Sequence, residues 1–131
     1  MPAGESRKAM GQTQPDVLVV DDDPDIRHLL SSVLTLEGYA VASASNGEEA
    51  LSQLRSMPGA RLILLDLRMP VMDGWEFRAE QSRDPALRSI PVVLLSGDGD
   101  LEQAAASFDA TSVLKKPFDL EELLVVVQRY Y

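Results

Sequence analysis

The sequence predicts an α/β fold in which five parallel strands form one sheet with helices on both of its faces. Five short apolar runs with the composition of buried strands recur along the 131 residues. A segment with helical spacing of apolar residues, or with a helix-start signal, follows each run. Repeated strand–helix units of this length favour parallel strands joined by right-handed crossovers. The length suits one domain, and a composition of 45% apolar and 25% charged residues suits an ordinary core.

The five strand candidates differ in how clearly the sequence marks them. The first and third are unbroken apolar runs, Val-Leu-Val-Val and Leu-Ile-Leu-Leu, which are typical of strands buried on both faces. The second is weaker, the fourth has Pro91 near its start, where proline is tolerated, and the fifth is marked by two residues only. In chain order, the strands are predicted at residues 17–20, 39–44, 62–65, 90–95 and 113–114.

Capping residues define most of the predicted helix boundaries. Asp23 is a favourable N-cap followed by proline, and Gly38 stands where the first helix ends. Asn46 with Glu49 three residues later has the form of a capping box, and Asp119 is the N-cap of the last helix. In chain order, the helices are predicted at residues 24–36, 47–57, 75–82, 101–108 and 120–127.

Composition and charge exclude several classes of function. The chain has no cysteine, so disulfide frameworks, thiolate metal sites and cysteine nucleophiles are excluded. Residues 1–15 lack apolar periodicity and a signal-peptide run, so we predict a disordered N-terminal tail, a domain at 16–131 and a cytoplasmic location. No run approaches about 18 apolar residues, so no membrane span is expected. The net charge of −9 disfavours direct binding to nucleic acid.

Polar side chains follow four of the five predicted strands. In chain order they are Asp21 with Asp22, Asp66, Ser96 and Lys116. Because the carboxyl ends of parallel strands lie at one edge of a sheet, we expect these side chains to converge. Crowded carboxylates repel one another unless a cation compensates, and Mg²⁺ prefers such oxygen ligands. A carboxylate held beside that ion can attack phosphorus and become an aspartyl phosphate.

These residues stand in motifs that resemble the receiver domain of two-component response regulators. The motifs are Val19-Val20-Asp21-Asp22, Leu64-Leu65-Asp66-Leu67-Arg68-Met69-Pro70 with Asp73-Gly74, Ser96-Gly97 and Lys116-Pro117-Phe118. The resemblance covers the chain from about residue 16 to 131, and the order and spacing of the motifs make it specific. It implies a flavodoxin-like, doubly wound fold with strand order 2-1-3-4-5. It also implies a phosphorylation-dependent switch of a phosphorelay rather than an enzyme with a separate substrate.

The resemblance implies the phosphoacceptor and the metal ligands. Asp66 is expected to accept a phosphoryl group from a histidine kinase or a histidine phosphotransfer protein. Asp22 is expected to bind Mg²⁺ directly and Asp21 through water. Asp66 and the backbone carbonyl of Arg68 are expected to complete the protein ligands.

The resemblance also implies how the chain holds the transferred group, with one departure from the family pattern. Ser96 and Lys116 are expected to contact the phosphoryl group from two sides, and Gly97 to leave room for it. Three residues before the lysine, Val113 stands where the family usually has an aromatic ring that rotates with the hydroxyl. Valine has no ring to rotate, so the resemblance does not predict how the switch propagates.

The output of the switch is expected to act in trans, because the sequence ends with the fifth predicted helix. The family signals through the face formed by the fourth helix, the fifth strand and the fifth helix, so this face is the expected site for an unidentified protein target or a homodimer. The last helix supports this expectation with apolar residues outside its inward stripe. Val125 and Val126 lie outside the predicted stripe, Tyr130 lies at its edge, and the stripe itself is Leu120, Leu123, Leu124, Val127 and Tyr131.

Three alternatives share this fold class. A hydrolase with an aspartate nucleophile usually has a second aspartate two residues later, where this chain has Arg68. A flavin or nucleotide binder would need a glycine-rich phosphate loop after the first strand, where this chain has Asp-Asp-Asp-Pro. An interaction module that is never phosphorylated is favoured only by Val113.

Overall fold

The computed structural model describes residues 16–56, 59–97 and 112–130. The predicted tail at 1–15 and the predicted helix at 101–108 lie outside these residues. Within the described part of the chain, no helix combines the length and apolar character that crossing a bilayer requires.

All five predicted strands are present, and they form one parallel sheet. The strands are β1 (Val17–Val20), β2 (Val41–Ala44), β3 (Leu62–Asp66), β4 (Val92–Ser96) and β5 (Ser112–Lys115). Their order is β2-β1-β3-β4-β5, which confirms the predicted fold class and strand order. In the central pair, Val20 of β1 lies opposite Leu65 of β3, so Asp21, which follows β1, comes level with Asp66, the last residue of β3.

Four helices lie within the described residues. They are α1 (Pro24–Leu36), α2 (Gly47–Ser56), α3 (Gly74–Arg83) and α4 (Leu120–Gln128). The side chain of Asp23 caps α1 as predicted, and Asp119 forms a complete capping box at α4. The predicted box at α2 forms only in part: Asn46 accepts from the Glu49 N–H at 2.9 Å, but the Glu49 carboxylate accepts from Ser45 instead of from Asn46.

The helices close two cores, one on each face of the sheet. Because successive strand residues point to opposite faces, Leu18 and Val19 belong to different cores. Residues of α2 and α3 close the first core, in which Phe77 is fully buried. Residues of α1 and α4 close the second, in which Leu123 is fully buried. The two buried faces explain why β1 and the first four residues of β3 are all apolar.

The second strand begins at Val41 rather than at the predicted residue 39, because the end of α1 uses the preceding residues. Gly38 adopts a left-handed conformation with φ of 96° and donates its N–H to the Thr35 carbonyl. The Tyr39 N–H donates to the Leu34 carbonyl at 3.1 Å. This pair of bonds is the Schellman arrangement, so Tyr39 belongs to the helix terminus rather than to the strand.

The fourth strand begins at Val92 rather than at the predicted residue 90. Ile90 donates its N–H to the Leu87 carbonyl, and the Ile90 carbonyl accepts from the fully buried side chain of Gln81. Both backbone groups of Ile90 are therefore engaged outside the sheet ladder.

The predicted inward stripe of the last helix is partly wrong. Val126, predicted outside the stripe, is only 8% exposed and packs in the second core, whereas Leu120 is 38% exposed. The inward residues Leu123, Val126 and Val127 follow the i, i+3, i+4 pattern, which places the stripe about one residue away from the predicted one. Val125, 52% exposed, remains on the outer surface as predicted.

Candidate functional site

The carboxyl edge of the sheet brings three of the predicted site residues together. Asp21 follows β1, Asp66 ends β3 and Lys116 follows β5. The Lys116 Nζ lies 2.9 Å from Asp21 Oδ2 and 3.4 Å from Asp66 Oδ1. Since β4 lies between β3 and β5, the lysine reaches Asp66 across the end of β4. One ammonium therefore bridges two carboxylates that are 45 residues apart in sequence.

Asp21 is buried, and each of its polar groups is hydrogen-bonded. Its N–H donates to the Ala44 carbonyl at 3.1 Å, which ties it to the end of β2. Its Oδ1 accepts from the Asp23 N–H at 3.0 Å, and its Oδ2 accepts from Lys116. Its backbone carbonyl accepts from Arg27 Nη1 at 2.8 Å. The position and orientation of Asp21 are therefore fixed by two strands and a helix.

The Asp66 carboxyl group is buried at the end of β3, with a relative exposure of 7%. Burial and the charge of Asp21 raise the pKa of Asp66 from 3.8 to about 6, although Lys116 and the Arg68 N–H favour the ionised form. At pH 7 this carboxylate is mostly ionised, and it is more basic than an exposed aspartate. Such a buried, basic carboxylate suits a nucleophile.

Lys116 is the cation that compensates this pair. Burial alone would lower the pKa of Lys116, but hydrogen bonds and charge from Asp21 and Asp66 outweigh burial and raise the pKa above its usual value. The lysine therefore stays charged at neutral pH. It neutralises only one of the two carboxylates, and burial together with the charge of Asp21 keeps the pKa of Asp66 raised.

Asp22 completes an acidic cluster that fits a small, hard cation. One carboxylate oxygen each from Asp21, Asp22 and Asp66 lies within 4.8 Å of the others. Octahedral Mg²⁺ has ligand oxygens at about 2.1 Å, so two of its ligands are at most about 4.2 Å apart. The cluster matches this spacing after a slight contraction or with one ligand bound through water. The oxygen-only donor set is also the one that Mg²⁺ prefers.

The other predicted contacts to a phosphoryl group come from the ends of β4 and β5. Ser96 ends β4 and pairs with Lys115, so its backbone lies at the same sheet edge, whereas its side chain lies outside the described part of the structure. A Cβ built on Gly97 would meet no atom of the described residues within 4 Å, so this part of the structure leaves open space there. Val113 is half-buried and packs against the core that contains Phe77.

The loop after β3 approaches the acceptor closely. The Arg68 N–H donates to the Asp66 carboxylate, and the Arg68 guanidinium lies 5.4 Å from the centre of the Trp75 ring. Gly74 donates its N–H to the Leu67 carbonyl at 2.9 Å. A Cβ on Gly74 would lie 2.8 Å from the Asp66 carbonyl oxygen and 2.8 Å from Leu67 Cα. Glycine is therefore required here for the loop to pack against the end of β3.

An apolar cleft of about 450 Å³ opens beside Lys116. Ile26 and Leu29 of α1 form one side, Leu120 of α4 lies on the other, and Gly97 and Lys116 are part of the lining. Leu29 is 50% exposed although helical spacing places it among the apolar positions of α1. The cleft therefore borders the acidic site at Lys116.

Two of these features, the Arg27 contact and the cleft, were not predicted from the sequence. Arg27 lies on α1 one helical turn after Asp23, and helical spacing alone gave no reason to direct it towards a strand end. One feature of the sequence points to the cleft. The apolar face of α1, with Ile26, Leu29 and Leu30, is wider than packing against the sheet requires.

Comparison with known proteins gives one consistent result. The family model described as the response regulator receiver domain matches residues 17–128. An uncharacterized 14.6 kDa protein of Leptolyngbya boryana is 42% identical over 120 residues, which cover 89% of this chain and 90% of that protein. A probable chemotaxis protein CheY of Rhizobium etli is 34% identical over 118 residues, covering 88% of this chain and 91% of that protein.

Solved structures agree with the sequence comparison. A chemotaxis protein CheY4 of Vibrio cholerae superposes with a TM-score of 0.80 at 33% identity, covering 90% of this chain and 99% of that one. Other curated relatives are longer, and the chain spans only 24% to 48% of several of them.

Proposed function

The chain belongs to the response regulator receiver domain family, and from this premise we propose that it is a phosphorylation-dependent signalling switch that accepts a phosphoryl group on Asp66. The observation that carries the proposal is the buried Asp66 carboxylate, which has the Lys116 ammonium 3.4 Å away and two further aspartates beside it. Residues 16–131 act as the receiver unit. Receiver domains act as signalling switches, and this one turns over no separate substrate.

Asp66 is the proposed nucleophile. One of its oxygens forms a bond to phosphorus while the phosphorus–nitrogen bond of a phosphohistidine breaks, and the electron pair of that bond returns to the imidazole nitrogen. The products are an aspartyl phosphate and a free histidine on the histidine kinase or histidine phosphotransfer protein. The raised pKa of about 6 supports this role, because it makes the carboxylate more basic while leaving it mostly ionised at pH 7.

Mg²⁺ is the proposed cofactor, and when bound it supplies positive charge and a ligand position for a phosphoryl oxygen. Asp22, Asp21, Asp66 and the backbone carbonyl of Arg68 are the proposed ligands. Support comes from the 4.8 Å clustering of the three carboxylates and from their oxygen-only chemistry.

Three residues are proposed to receive the phosphoryl group. Lys116 turns from its two carboxylate partners to a phosphoryl oxygen, which keeps its charge paired. The Ser96 hydroxyl donates to a second oxygen. Gly97 keeps the approach open, and the absence of any neighbour within 4 Å of its Cβ position among the described residues supports this role.

The cleft beside Lys116 is the proposed docking site of the phosphodonor protein. It shares Gly97 and Lys116 with the acidic site, so a protein that fills it brings its phosphohistidine to Asp66 and excludes water. With a histidine kinase that phosphorylates the parent chain, Leu29→Lys should slow transfer at least fivefold. Transfer from a small-molecule donor should stay unchanged. Leu36→Lys, a change at an exposed position of the same helix, is the matched control, and equal slowing by both variants would contradict the docking site.

The output is proposed to act in trans in the cytoplasm. The surface involved contains β5, α4 and the predicted helix at 101–108, and the target is an unidentified protein or a second copy of the chain. The exposed Val125 supports a contact there, although the buried Val126 makes the apolar surface smaller than predicted. The net charge of −9 supports a protein target over nucleic acid.

Intact-mass spectrometry tests the proposal directly. The chain is incubated with acetyl phosphate and Mg²⁺, and one phosphoryl adduct is expected on the parent and none on Asp66→Asn. An unmodified parent, or an adduct that persists in the variant, would reject Asp66 as the acceptor. Omitting Mg²⁺ should abolish the adduct, and an equal yield without the metal would reject the cofactor.

A further inference from the structure

Arg27 connects α1 to the strand end that carries two of the proposed metal ligands. Its Nη1 donates to the backbone carbonyl of Asp21 at 2.8 Å, in a partly buried position. Its own N–H donates to the Asp23 carbonyl at 3.0 Å as α1 begins. Arg27 therefore closes the turn between β1 and α1 with both its backbone and its side chain.

The carbonyl that accepts from Arg27 belongs to the peptide group that joins Asp21 to Asp22. A peptide group is planar, so an oxygen held at one side fixes the orientation of the whole group, including the nitrogen of Asp22. Asp21 is already fixed by Ala44, Asp23 and Lys116, but Asp22 is exposed. Of the hydrogen bonds that hold Asp21, the one from Arg27 is made to the group that lies nearest to Asp22 along the covalent chain.

We propose that Arg27 is a positioning residue of the metal site, which sets the orientation of Asp22 through the backbone carbonyl of Asp21. This inference rests on the proposed function, since it assumes that the acidic cluster binds Mg²⁺. Arg27 touches neither the metal nor the phosphoryl group. Its contribution is to keep Asp21 and Asp22 in the orientation that binds the ion, so that less free energy is spent on ordering them when the ion binds.

The sign of the effect separates positioning from simple electrostatics. Arg27 is a cation near a site for a dication, so Coulomb repulsion alone predicts that removing its charge tightens Mg²⁺ binding. Loss of a positioning contact predicts the opposite, weaker binding. A purely structural role predicts a lower unfolding temperature with unchanged affinity of the folded protein.

Titration calorimetry with Mg²⁺ as the only ligand measures this affinity. Arg27→Met and Arg27→Gln both lose the contact, since methionine has no donor and the glutamine amide is two bonds shorter than the guanidinium. Each should raise the Kd about tenfold, which corresponds to ~1.4 kcal/mol. Arg27→Lys keeps a donor and a charge and should stay within threefold of the parent. Arg83→Met, which removes an exposed arginine at the far end of α3, should leave the Kd unchanged.

The outcomes are decisive for Arg27. The proposal would be overturned if Arg27→Met or Arg27→Gln, once shown to be folded, bound Mg²⁺ with a Kd within twofold of the parent or bound it more tightly. An equal rise in Arg83→Met would also overturn it, because net charge would then be the cause. Melting curves without Mg²⁺ identify which variants are folded, and two chemically different loss variants guard against one that does not fold. A parent that binds no Mg²⁺ would instead overturn the proposed function, and the Arg27 inference with it.

Discussion

Replacing Asp66 with asparagine is expected to stabilise the metal-free protein at pH 7.5 and to remove part of its pH dependence. The ionised carboxylate of Asp66 is buried beside the charge of Asp21, and the raised pKa measures how unfavourable that state is. Asparagine has nearly the same shape and resembles the neutral carboxylic acid. The substitution therefore removes an electrostatic penalty at the same time as it removes the proposed phosphoacceptor.

The size of the expected stabilisation follows from the pKa shift of Asp66. The pKa of Asp66 rises from 3.8 to about 6, and each pKa unit corresponds to ~1.4 kcal/mol, so the ionised group destabilises the fold by up to roughly 3 kcal/mol. The pKa of Asp66 is higher in the folded than in the unfolded protein. The contribution of Asp66 to stability is therefore fully present below its unfolded-state pKa and is lost as the pH rises through about 6. Lowering the pH from 7.5 to 5 should restore ~1.4 kcal/mol to the parent.

Urea unfolding followed by circular dichroism, in EDTA at pH 7.5, 6 and 5, measures this contribution as the difference between variant and parent. The carboxylates away from the site are common to the two proteins, so their contributions cancel in the difference and the Asp66 site remains. The variant should be more stable at pH 7.5 by at most about 3 kcal/mol, and the gap should shrink by ~1.4 kcal/mol at pH 5. Added Mg²⁺ should stabilise the parent more than the variant. A gap that does not change with pH, or a variant less stable than the parent at pH 7.5, would refute the reasoning.

Three further substitutions, with Gly97→Ala as a control for one of them, test other parts of the structure. Lys116→Met should destabilise the metal-free protein by about 1–3 kcal/mol in urea unfolding, because it leaves two neighbouring carboxylates without their ammonium. Mg²⁺ should restore more stability to this variant than to the parent. Equal stability of the two proteins in EDTA would contradict this prediction. Gly74→Ala should cost about 1–3 kcal/mol in the free energy of unfolding, since a Cβ would lie 2.8 Å from backbone atoms of Asp66 and Leu67. Gly97→Ala, whose Cβ would meet no atom of the described residues within 4 Å, should change stability by less than about 0.5 kcal/mol. Similar losses in both variants would show that the contact at Gly74 is not the cause. Gln81→Leu should cost about 2 kcal/mol, because the Leu87 and Ile90 carbonyls lose a buried donor, and a neutral substitution in the same unfolding assay would show that other donors replace it.

Patterns that repeat along the chain made most of the fold predictable. Unbroken apolar runs marked β1 and β3, and capping residues placed the starts of α1 and α4 correctly, because both signals act over a few neighbouring residues. The start of β2 differed because the turn that ends α1 uses Tyr39, and the start of β4 differed because of a longer-range contact. Residue 90 does not join β4 because the side chain of Gln81, nine residues earlier, binds its carbonyl.

The acidic site was predictable to a similar degree. The positions of Asp21, Asp66 and Lys116 at strand ends follow from the topology, and the structure brings all three into contact. Arg27 could not be predicted in this way, because its contact depends on the angle at which α1 leaves the sheet and on the direction of one long side chain. The inward face of α4 was misplaced by about one residue for a related reason: Val126 is buried by the rotation of the helix against the sheet, and spacing alone left that rotation open.

Trp75, whose ring lies against the Arg68 guanidinium, is the only tryptophan in the chain. Arg68 donates its backbone N–H to Asp66, the proposed acceptor, and its side chain contacts the Trp75 ring. One residue therefore connects the native fluorophore to the acceptor. Emission from this ring gives an optical signal from the loop beside the acceptor without any chemical label. Events at that loop can therefore be followed in real time in the unmodified protein.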